Sequence, residues 1–190
     1  MSSQPNAFIT PEEYLESERQ AETKSEYFNG AVFAMAGGTP RHVDIVRNLI
    51  RSLDRQFSGR ECSVYFNDLR LRVSPTGLYT YPDVMVIWGG LQFADTGKDT
   101  VTNPVVIVEV LSPSTRDYDR GAKFHHYRTI DSFQEYLTVE QDKPKIEHWV
   151  RQEGNRWVFT EHTNASDQVT LKSIGCTLSM SEVYDKIDWT

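Results

Sequence analysis

The sequence predicts one domain, residues 1–190, of mixed α/β (α+β) class. Three observations favour this class: a long segment with apolar residues at helical spacing, several short segments rich in β-branched and aromatic residues, and turn-forming Gly, Pro and Asn between them. With 38% hydrophobic and 12% aromatic residues among 190, the chain can bury one sizeable core. Residues 1–8 are predicted to be disordered.

The charge balance and the cysteines argue against several classes of protein. A formal net charge of -7 argues against nonspecific affinity for nucleic acid over the whole surface, although a local basic groove stays open. Cys62 and Cys176 lack the paired spacing of a zinc site and are too few for a secreted disulfide framework, so we expect a cytoplasmic protein. No segment approaches the roughly 18 apolar residues of a membrane span, and no signal peptide pattern is present.

The first predicted elements are a short helix and a β-hairpin. The segment Thr10–Glu13 has a hydroxyl cap, a proline at the first helical position and a capping-box acid, so a helix should run to about Ser17. Asn29-Gly30 is the strongest short hairpin signal, and it separates two strand-like pieces within residues 25–35.

Residues 40–58 are predicted to form an amphipathic helix that begins at Thr39-Pro40. His42 begins the face that we expect to be buried. The opposite face carries four arginines, Arg41, Arg47, Arg51 and Arg55. Such a face is compatible with contacts to a DNA backbone, but a charged helix face is more often simply solvated.

The middle of the chain is predicted to contain three strands. Residues 62–73 and 78–88 are expected to form an antiparallel pair around the turn 74–77, and residues 105–111 form a strand of β-branched residues. The polar connection 89–103 is long enough to be functional or mobile.

The last third of the chain is predicted to begin with a helix and continue mainly as strands. Ser114 or Thr115 should cap a helix that ends near Thr129. Strands are expected at 133–140, 145–150, 156–163 and 168–171, the last three as a meander, with a final helix at 181–187.

Two carboxylates interrupt apolar strands. Glu109 lies inside the strand 105–111, where an unpaired ionised acid costs about 2 kcal/mol or more. Asp83 follows Pro82 at the head of another apolar run. Because side chains alternate along a strand, the two carboxylates converge if these strands are neighbours. Two carboxylates near a backbone carbonyl suit Mg²⁺ or Mn²⁺ better than zinc.

Most of the candidate residues also have a simpler interpretation. Lys123 follows Asp119 by four residues and could form a solvated helix pair with it, unless it meets Glu109. Asp119 itself, like Arg120, is interpreted as a surface charge, although it could position Lys123. Asp83 could cap a turn. Histidines such as His42 are more often core residues than catalysts.

The residues that carry these anomalies resemble a known family. Pro82-Asp83 and Glu109-Val110-Leu111 resemble the P-D…(D/E)-X-K pattern of restriction-endonuclease-like nucleases. The segment EVLSPSTRDYDRGAKFHHY is similar to the signature of the Uma-two family of nucleases. The resemblance implies a restriction-endonuclease-like core of helix, three strands, helix and strand, which agrees with the predicted order. The N-terminal helix and hairpin and the C-terminal meander would lie outside that core.

The resemblance also implies a function and a set of site residues. It implies a Mg²⁺- or Mn²⁺-dependent endonuclease acting on DNA, with Asp83 and Glu109 binding the metal and the Val110 carbonyl as a further ligand. The usual lysine is replaced by Leu111, and Lys123 would have taken over its catalytic role. The auxiliary groups of the same cleft would be Glu26, His42 and Tyr127. Without the resemblance, Glu26 would be interpreted as a surface acid and Tyr127 as a residue that packs beneath Lys123 or fills the core.

Two other functions stay open. The departure at Leu111 permits a non-catalytic binding module with the nuclease fold. Alternatively, the same acids could serve a metal-dependent phosphohydrolase that acts on a small molecule. For the endonuclease we expect DNA as the partner, no membrane association, and a homodimer, because cleavage of two strands suits a two-fold pair.

Overall fold

The structure is a computed structural model that describes residues 8–189, so the segment 1–8, predicted to be disordered, lies outside the described residues except for its last residue. Within this range the chain forms a six-stranded sheet, a five-stranded sheet and a two-stranded ribbon, together with short and long helices. This architecture is of the predicted mixed α+β class.

The six-stranded sheet is the centre of the fold. In spatial order its strands are β11 (Trp157–His162), β10 (Ile146–Arg151), β9 (Glu135–Glu140), β8 (Val106–Leu111), β6 (Val84–Trp88) and β3 (Cys62–Phe66). Neighbouring strands are antiparallel except β8 and β9, which are parallel. Every residue of β8 is buried, as expected for a strand covered on both faces.

The five-stranded sheet contains the N-terminal hairpin. In spatial order its strands are β2 (Ala31–Ala34), β1 (Ser25–Phe28), β5 (Leu78–Thr80), β4 (Arg70–Val73) and β7 (Thr100–Val101). The separate ribbon pairs β12 (Gln168–Leu171) with β13 (Cys176–Ser179).

The helices differ greatly in length. They are α1 (Pro11–Glu18), α2 (Pro40–Gln56), α3 (Arg116–Tyr118), α4 (Phe124–Tyr127) and α5 (Met180–Val183). A π-helical turn, Asp119–Lys123, joins α3 to α4, and we call these three consecutive pieces the site helix. No helix within residues 8–189 is long and apolar enough to span a lipid bilayer.

The N-terminal elements confirm the local predictions. In the capping box of α1, the Thr10 hydroxyl accepts a hydrogen bond from the Glu13 N–H, and the Glu13 carboxylate accepts one from the Thr10 N–H. Asn29 and Gly30 connect β1 to β2 with φ angles of 48° and 82°. Positive φ at both positions is what a two-residue type I′ hairpin turn requires, so a few adjacent residues were enough to predict these elements.

Helix α2 covers one face of the six-stranded sheet, as its spacing predicted. Ile45, Leu49 and Leu53 are fully buried and pack in one cluster with sheet residues that include Val84 and Val108. On the exposed side, three arginines pair with acids of the same chain: Arg47 with Asp44, Arg51 with Asp185 and Arg55 with Glu182. These ion pairs favour the interpretation of a solvated face over that of a DNA contact.

The two long strands predicted at 62–73 and 78–88 each divide into two. β3 and β6 pair in the six-stranded sheet, whereas β4 and β5 pair in the five-stranded sheet. One break is at Pro82, which has no N–H for a strand ladder. The other is a turn at Asn67, whose carbonyl accepts a hydrogen bond from the Lys24 ammonium. The antiparallel pairing was predicted correctly, but the change of sheet was not.

Several boundaries in the second half of the chain were predicted incorrectly. The connection 89–103 contains β7, and β12 leaves the predicted meander to pair with β13, a strand that was not predicted. The site helix ends at Tyr127 and α5 ends at Val183, both earlier than predicted. Thr115 makes no side-chain cap; instead the Ser112 hydroxyl accepts a hydrogen bond from the Thr115 N–H and so closes the turn before the helix.

Replacing Leu49 by alanine should lower the free energy of unfolding by about 2–5 kcal/mol, because Leu49 is fully buried between α2 and the sheet. Urea unfolding followed by circular dichroism measures this change. The control is Arg47→Ala on the exposed face, which should stay within about 0.5 kcal/mol of the wild type. An equal loss of stability in the two variants would contradict this packing of α2.

Candidate active site

Asp83 and Glu109 lie side by side at one end of two neighbouring strands. β6 and β8 pair antiparallel with Val84 opposite Val108, so Asp83 and Glu109 face each other one residue further along. The Asp83 N–H lies 3.3 Å from Glu109 Oε2, and Asp83 Oδ2 accepts a hydrogen bond of 2.8 Å from the Val110 N–H. The structure thus brings together the two carboxylates, as expected from the alternation of side chains along two neighbouring strands.

The Lys123 ammonium group lies against the Glu109 carboxylate. Its Nζ is 3.1 Å from Glu109 Oε1, 3.2 Å from Glu26 Oε1 and 3.4 Å from Asp119 Oδ1. The lysine is buried, so a solvated helix pair with Asp119 does not describe it. Leu111, at the lysine position of the sequence pattern, is fully buried. The amine therefore reaches Glu109 from the site helix and not from the strand.

Glu26 reaches the same cluster from β1. It is buried, and it accepts a hydrogen bond from the Thr80 hydroxyl on the neighbouring strand β5. Burial raises the pKa of Tyr118, and the negative charge of the Glu26 carboxylate raises this pKa further. Glu26 is therefore a member of the buried cluster and not the surface acid that its position on a hairpin suggested.

Two buried tyrosines donate hydrogen bonds to residues of the cluster. The Tyr127 hydroxyl donates a hydrogen bond of 2.7 Å to Glu109 Oε1, and the Tyr136 hydroxyl donates one of 2.9 Å to the Asp119 carbonyl. Both rings are fully buried and belong to one hydrophobic cluster beneath the site helix. Tyr127 thus fills the core and also fixes one oxygen of Glu109.

His42 stands at the solvent side of the cluster. Its Nε2 lies 3.0 Å from Asp83 Oδ1, and the side chains of His42 and Asp83 are 15% and 14% exposed. Burial lowers the pKa of His42, but the hydrogen bond to Asp83 and the negative charges of Asp83 and Asp119 outweigh burial, so the pKa is raised. A Cβ at Gly38 would lie 2.9 Å from the His42 ring, so this glycine lets the chain pass close to it. His42 therefore contacts a carboxylate of the cluster, which is the place that the family resemblance implied for it.

The π-helical turn Asp119–Lys123 places both of its end residues in the cluster. Such turns widen a helix by one residue and occur frequently at functional sites. Asp119 is buried, so its interpretation as a surface charge was wrong. The spacing of four between Asp119 and Lys123 was visible in the sequence, but it does not distinguish a π turn from an ordinary helix.

Arg120 anchors this turn from its outer side. Its Nε lies 2.7 Å from Glu147 Oε2, and its Nη2 lies 2.7 Å from Glu140 Oε1. These acids belong to β10 and β9, and both are largely buried. Charge-assisted hydrogen bonds of this kind hold the site helix on the sheet. The sequence interpretation of Arg120 as a surface charge was wrong, because its partners come from strands that follow it in the chain.

The buried cluster contains one lysine, Lys123, and four carboxylates, which belong to Glu26, Asp83, Glu109 and Asp119. For Glu109, burial is the largest influence and raises the pKa; the charge of Lys123 opposes this, and Asp119 and Asp83 reinforce it. Burial also raises the pKa of Asp119. For Lys123, burial acts to lower the pKa, but Glu109, Glu26 and Asp119 hold it well above its ordinary value. The pKa values of Glu109 and Asp119 rise mainly because these acids are buried, whereas the pKa of Lys123 rises because three carboxylates surround its ammonium group.

The fold is that of a nuclease-like protein. A crystal structure from Anabaena variabilis, described as a "putative nuclease belonging to DUF820", matches this chain with a TM-score of 0.73, covering 93% of this chain and 97% of that chain. The two sequences are 17% identical, so the likeness shows a common fold. The predicted nuclease fold is confirmed.

Sequence comparison gives the family. The Uma2 family model, described as "Putative restriction endonuclease", matches residues 11–181, and the chain belongs to this family. Two relatives from Synechocystis sp. are named "Uncharacterized protein sll1609" and "Uncharacterized protein slr1290". They are 39% identical over 153 residues and 35% identical over 182 residues. The matches cover 80% and 96% of this chain and 86% and 94% of the relatives. The Uma-two resemblance of the sequence is thereby confirmed.

The substitution Glu109→Gln should make the stability of the metal-free protein less dependent on pH. Folding raises the pKa of Glu109, so the folded state holds a proton that the unfolded state releases. Stability therefore falls as the pH rises from the ordinary value of a glutamate, about 4.3, through the raised pKa. One carboxyl accounts for at most about 1.4 kcal/mol per pH unit.

Urea unfolding in EDTA at a series of pH values measures this slope for both proteins, with the exposed Glu153→Gln as control. We expect a shallower slope for Glu109→Gln and the wild-type slope for Glu153→Gln. Equal slopes in all three proteins would contradict a protonated, buried Glu109.

Proposed function

We propose that the chain is a metal-dependent endonuclease that hydrolyses phosphodiester bonds in DNA. The observation that carries this proposal is the buried cluster in which Asp83 and Glu109 lie side by side, with the Lys123 amine 3.1 Å from Glu109. Membership of a family described as "Putative restriction endonuclease" supports the substrate class.

The donor set fits Mg²⁺ or Mn²⁺. The ligands would be the Asp83 and Glu109 carboxylates and the Val110 carbonyl, an all-oxygen set that these ions prefer. The Val110 N–H contacts Asp83, and the N–H and carbonyl of one strand residue point to the same side, so the carbonyl faces this end of the site. The excess of buried carboxylates over cations also favours a divalent ion.

Protein side chains alone would leave ligand positions open. Within residues 8–189 no group of three or more His, Cys, Asp or Glu is arranged to hold a metal. Water and phosphate oxygens would therefore complete the ligand set, as is usual for Mg²⁺. When bound, the ion would supply a water of lowered pKa and neutralise charge on the phosphate.

The side chains have roles that follow from their contacts. Lys123, which its carboxylate neighbours keep protonated, would orient the attacking water or stabilise the charge that develops on the phosphate oxygens. His42 and the Val110 N–H each fix one oxygen of Asp83. Tyr127 holds Glu109 by a hydrogen bond and so limits its rotation.

A small-molecule phosphohydrolase is less well supported. Two open cavities, of about 470 and 460 Å³, are lined by other residues, and neither is lined by Asp83, Glu109 or Lys123. Enzymes that act on small molecules usually hold the reacting groups in such a cavity. We further propose a homodimer, in which each subunit supplies one site, and a cytoplasmic location, in which the free Cys62 and Cys176 would stay reduced.

The substitution Asp83→Asn should reduce Mg²⁺- or Mn²⁺-dependent cleavage of DNA by about 100-fold or more, because it removes the charge but keeps the shape. Cleavage of a fluorescent oligonucleotide and of plasmid DNA, with EDTA as the metal-free control, measures the loss. Asp117→Asn, at an exposed acid of the site helix, is the matched control and should retain activity. Unchanged cleavage by Asp83→Asn would contradict the assignment, and cleavage in EDTA would contradict the metal.

The substitution Lys123→Met should lower kcat by about 10²–10³-fold with little change in KM, because methionine keeps much of the length but lacks the charge. Calorimetric titration with Mn²⁺ should show that metal binding persists, because a competing cation has been removed. Far-ultraviolet circular dichroism checks the fold. A folded variant with an unchanged kcat would show that Lys123 does not replace the lysine missing at Leu111.

A further inference from the structure

Phe33 is an exposed aromatic residue beside the buried cluster. It lies on β2 directly opposite Glu26 on β1, and residues opposite each other in an antiparallel pair project from the same face. Glu26 is buried in the cluster, whereas Phe33 is 53% exposed. A large apolar ring therefore faces solvent next to one of the carboxylates that hold Lys123.

Tyr118 is a second aromatic residue at the same place. The Lys123 Nζ lies 5.8 Å from the centre of its ring, and the negative charge of Glu26 acts on its hydroxyl and raises the pKa of that hydroxyl. The side chain is 36% exposed. Phe33 lies opposite Glu26 on the neighbouring strand, Tyr118 is influenced by its charge, and both residues are partly exposed. We call these two residues the aromatic edge.

Three arginines on the exposed face of α2 are engaged by acids of the same chain, so this face by itself does not indicate binding of a duplex backbone. The formal net charge is -7, and Arg47, Arg51 and Arg55 on α2 are paired with acids of the same chain. Duplex and single-stranded nucleic acids both carry phosphates that meet arginine and lysine side chains, so charge alone does not distinguish these two substrates. Stacking of unpaired bases on aromatic rings is a different source of affinity and tolerates any base sequence.

We propose that the aromatic edge stacks an unpaired nucleobase, so that the substrate is a single-stranded nucleic acid or an unpaired segment of one. In a regular duplex the faces of the bases are covered by their neighbours and cannot reach the rings. The inference rests on the proposed function, because it names the substrate class of the same site. A base on Phe33 would hold the adjoining phosphates beside the carboxylates and Lys123.

Fluorescence anisotropy in EDTA tests the inference with labelled oligonucleotides of one sequence and length. The probes are single-stranded DNA, single-stranded RNA, duplex DNA and a DNA strand in which abasic sites replace the nucleotides. We expect a single strand with bases to bind at least about five-fold more tightly than the duplex and the abasic strand. Tight binding of either the DNA or the RNA strand supports the inference.

Variants at the aromatic edge test the role of the ring. Phe33→Ala should weaken binding of the single strand by about five-fold or more, and Phe33→Tyr should retain it. The matched control is Phe159→Ala, because Phe159 is also half exposed but lies on β11 at the far edge of the six-stranded sheet. Its binding should equal that of the wild type.

The inference is overturned if the duplex or the abasic strand binds as tightly as the single strand, or if Phe33→Ala has no effect. Cleavage assays separate this failure from that of the proposed function. Binding that depends on Phe33, without hydrolysis of any strand in Mg²⁺ or Mn²⁺, contradicts the proposed function and leaves the stacking site standing. Cleavage that is equal for duplex and single strand and unaffected by Phe33→Ala contradicts the stacking site alone.

Discussion

One buried ammonium group holds the candidate site together. Lys123 lies within 3.4 Å of carboxylate oxygens of Glu26, Glu109 and Asp119, which belong to the hairpin, the central sheet and the site helix. Removal of such charges from water is costly, and only close contacts with opposite charges and hydrogen bonds offset that cost. The positions of three separate elements therefore depend on the same amine.

The surrounding structure is arranged to keep these charges in contact. The π turn places Asp119 and Lys123 in the cluster, and Arg120 within the same turn binds acids of the neighbouring strands. The charges of the cluster are not fully balanced, because acids outnumber cations. Burial also raises the pKa of Glu109. Buried ionisable groups whose pKa values are shifted in this way are typical of a functional site.

The side of the cluster that solvent can reach lies where the pairing of β6 with β8 ends. Pro82 cannot donate a hydrogen bond, so the pairing of β6 with β8 stops there. The Val110 N–H then binds the side chain of Asp83 instead of another backbone carbonyl, and Asp83 is held at the margin, beside His42 and within reach of solvent. The same proline lets the chain cross to the second sheet, which carries Glu26. A single break in a strand thus links the change of sheet to the geometry of the site.

The sequence by itself determined the elements that depend on neighbouring residues: the capping box at Thr10, the turn at Asn29-Gly30 and the buried face of α2. It also established that Glu109, in an apolar strand, required a partner of opposite charge. Only the tertiary structure decided that Lys123 is this partner and that Glu26 and Asp119 share it. Periodicity and turn chemistry act over a few residues, whereas the contacts of a buried charge depend on which distant segments the packed sheets and the site helix bring together.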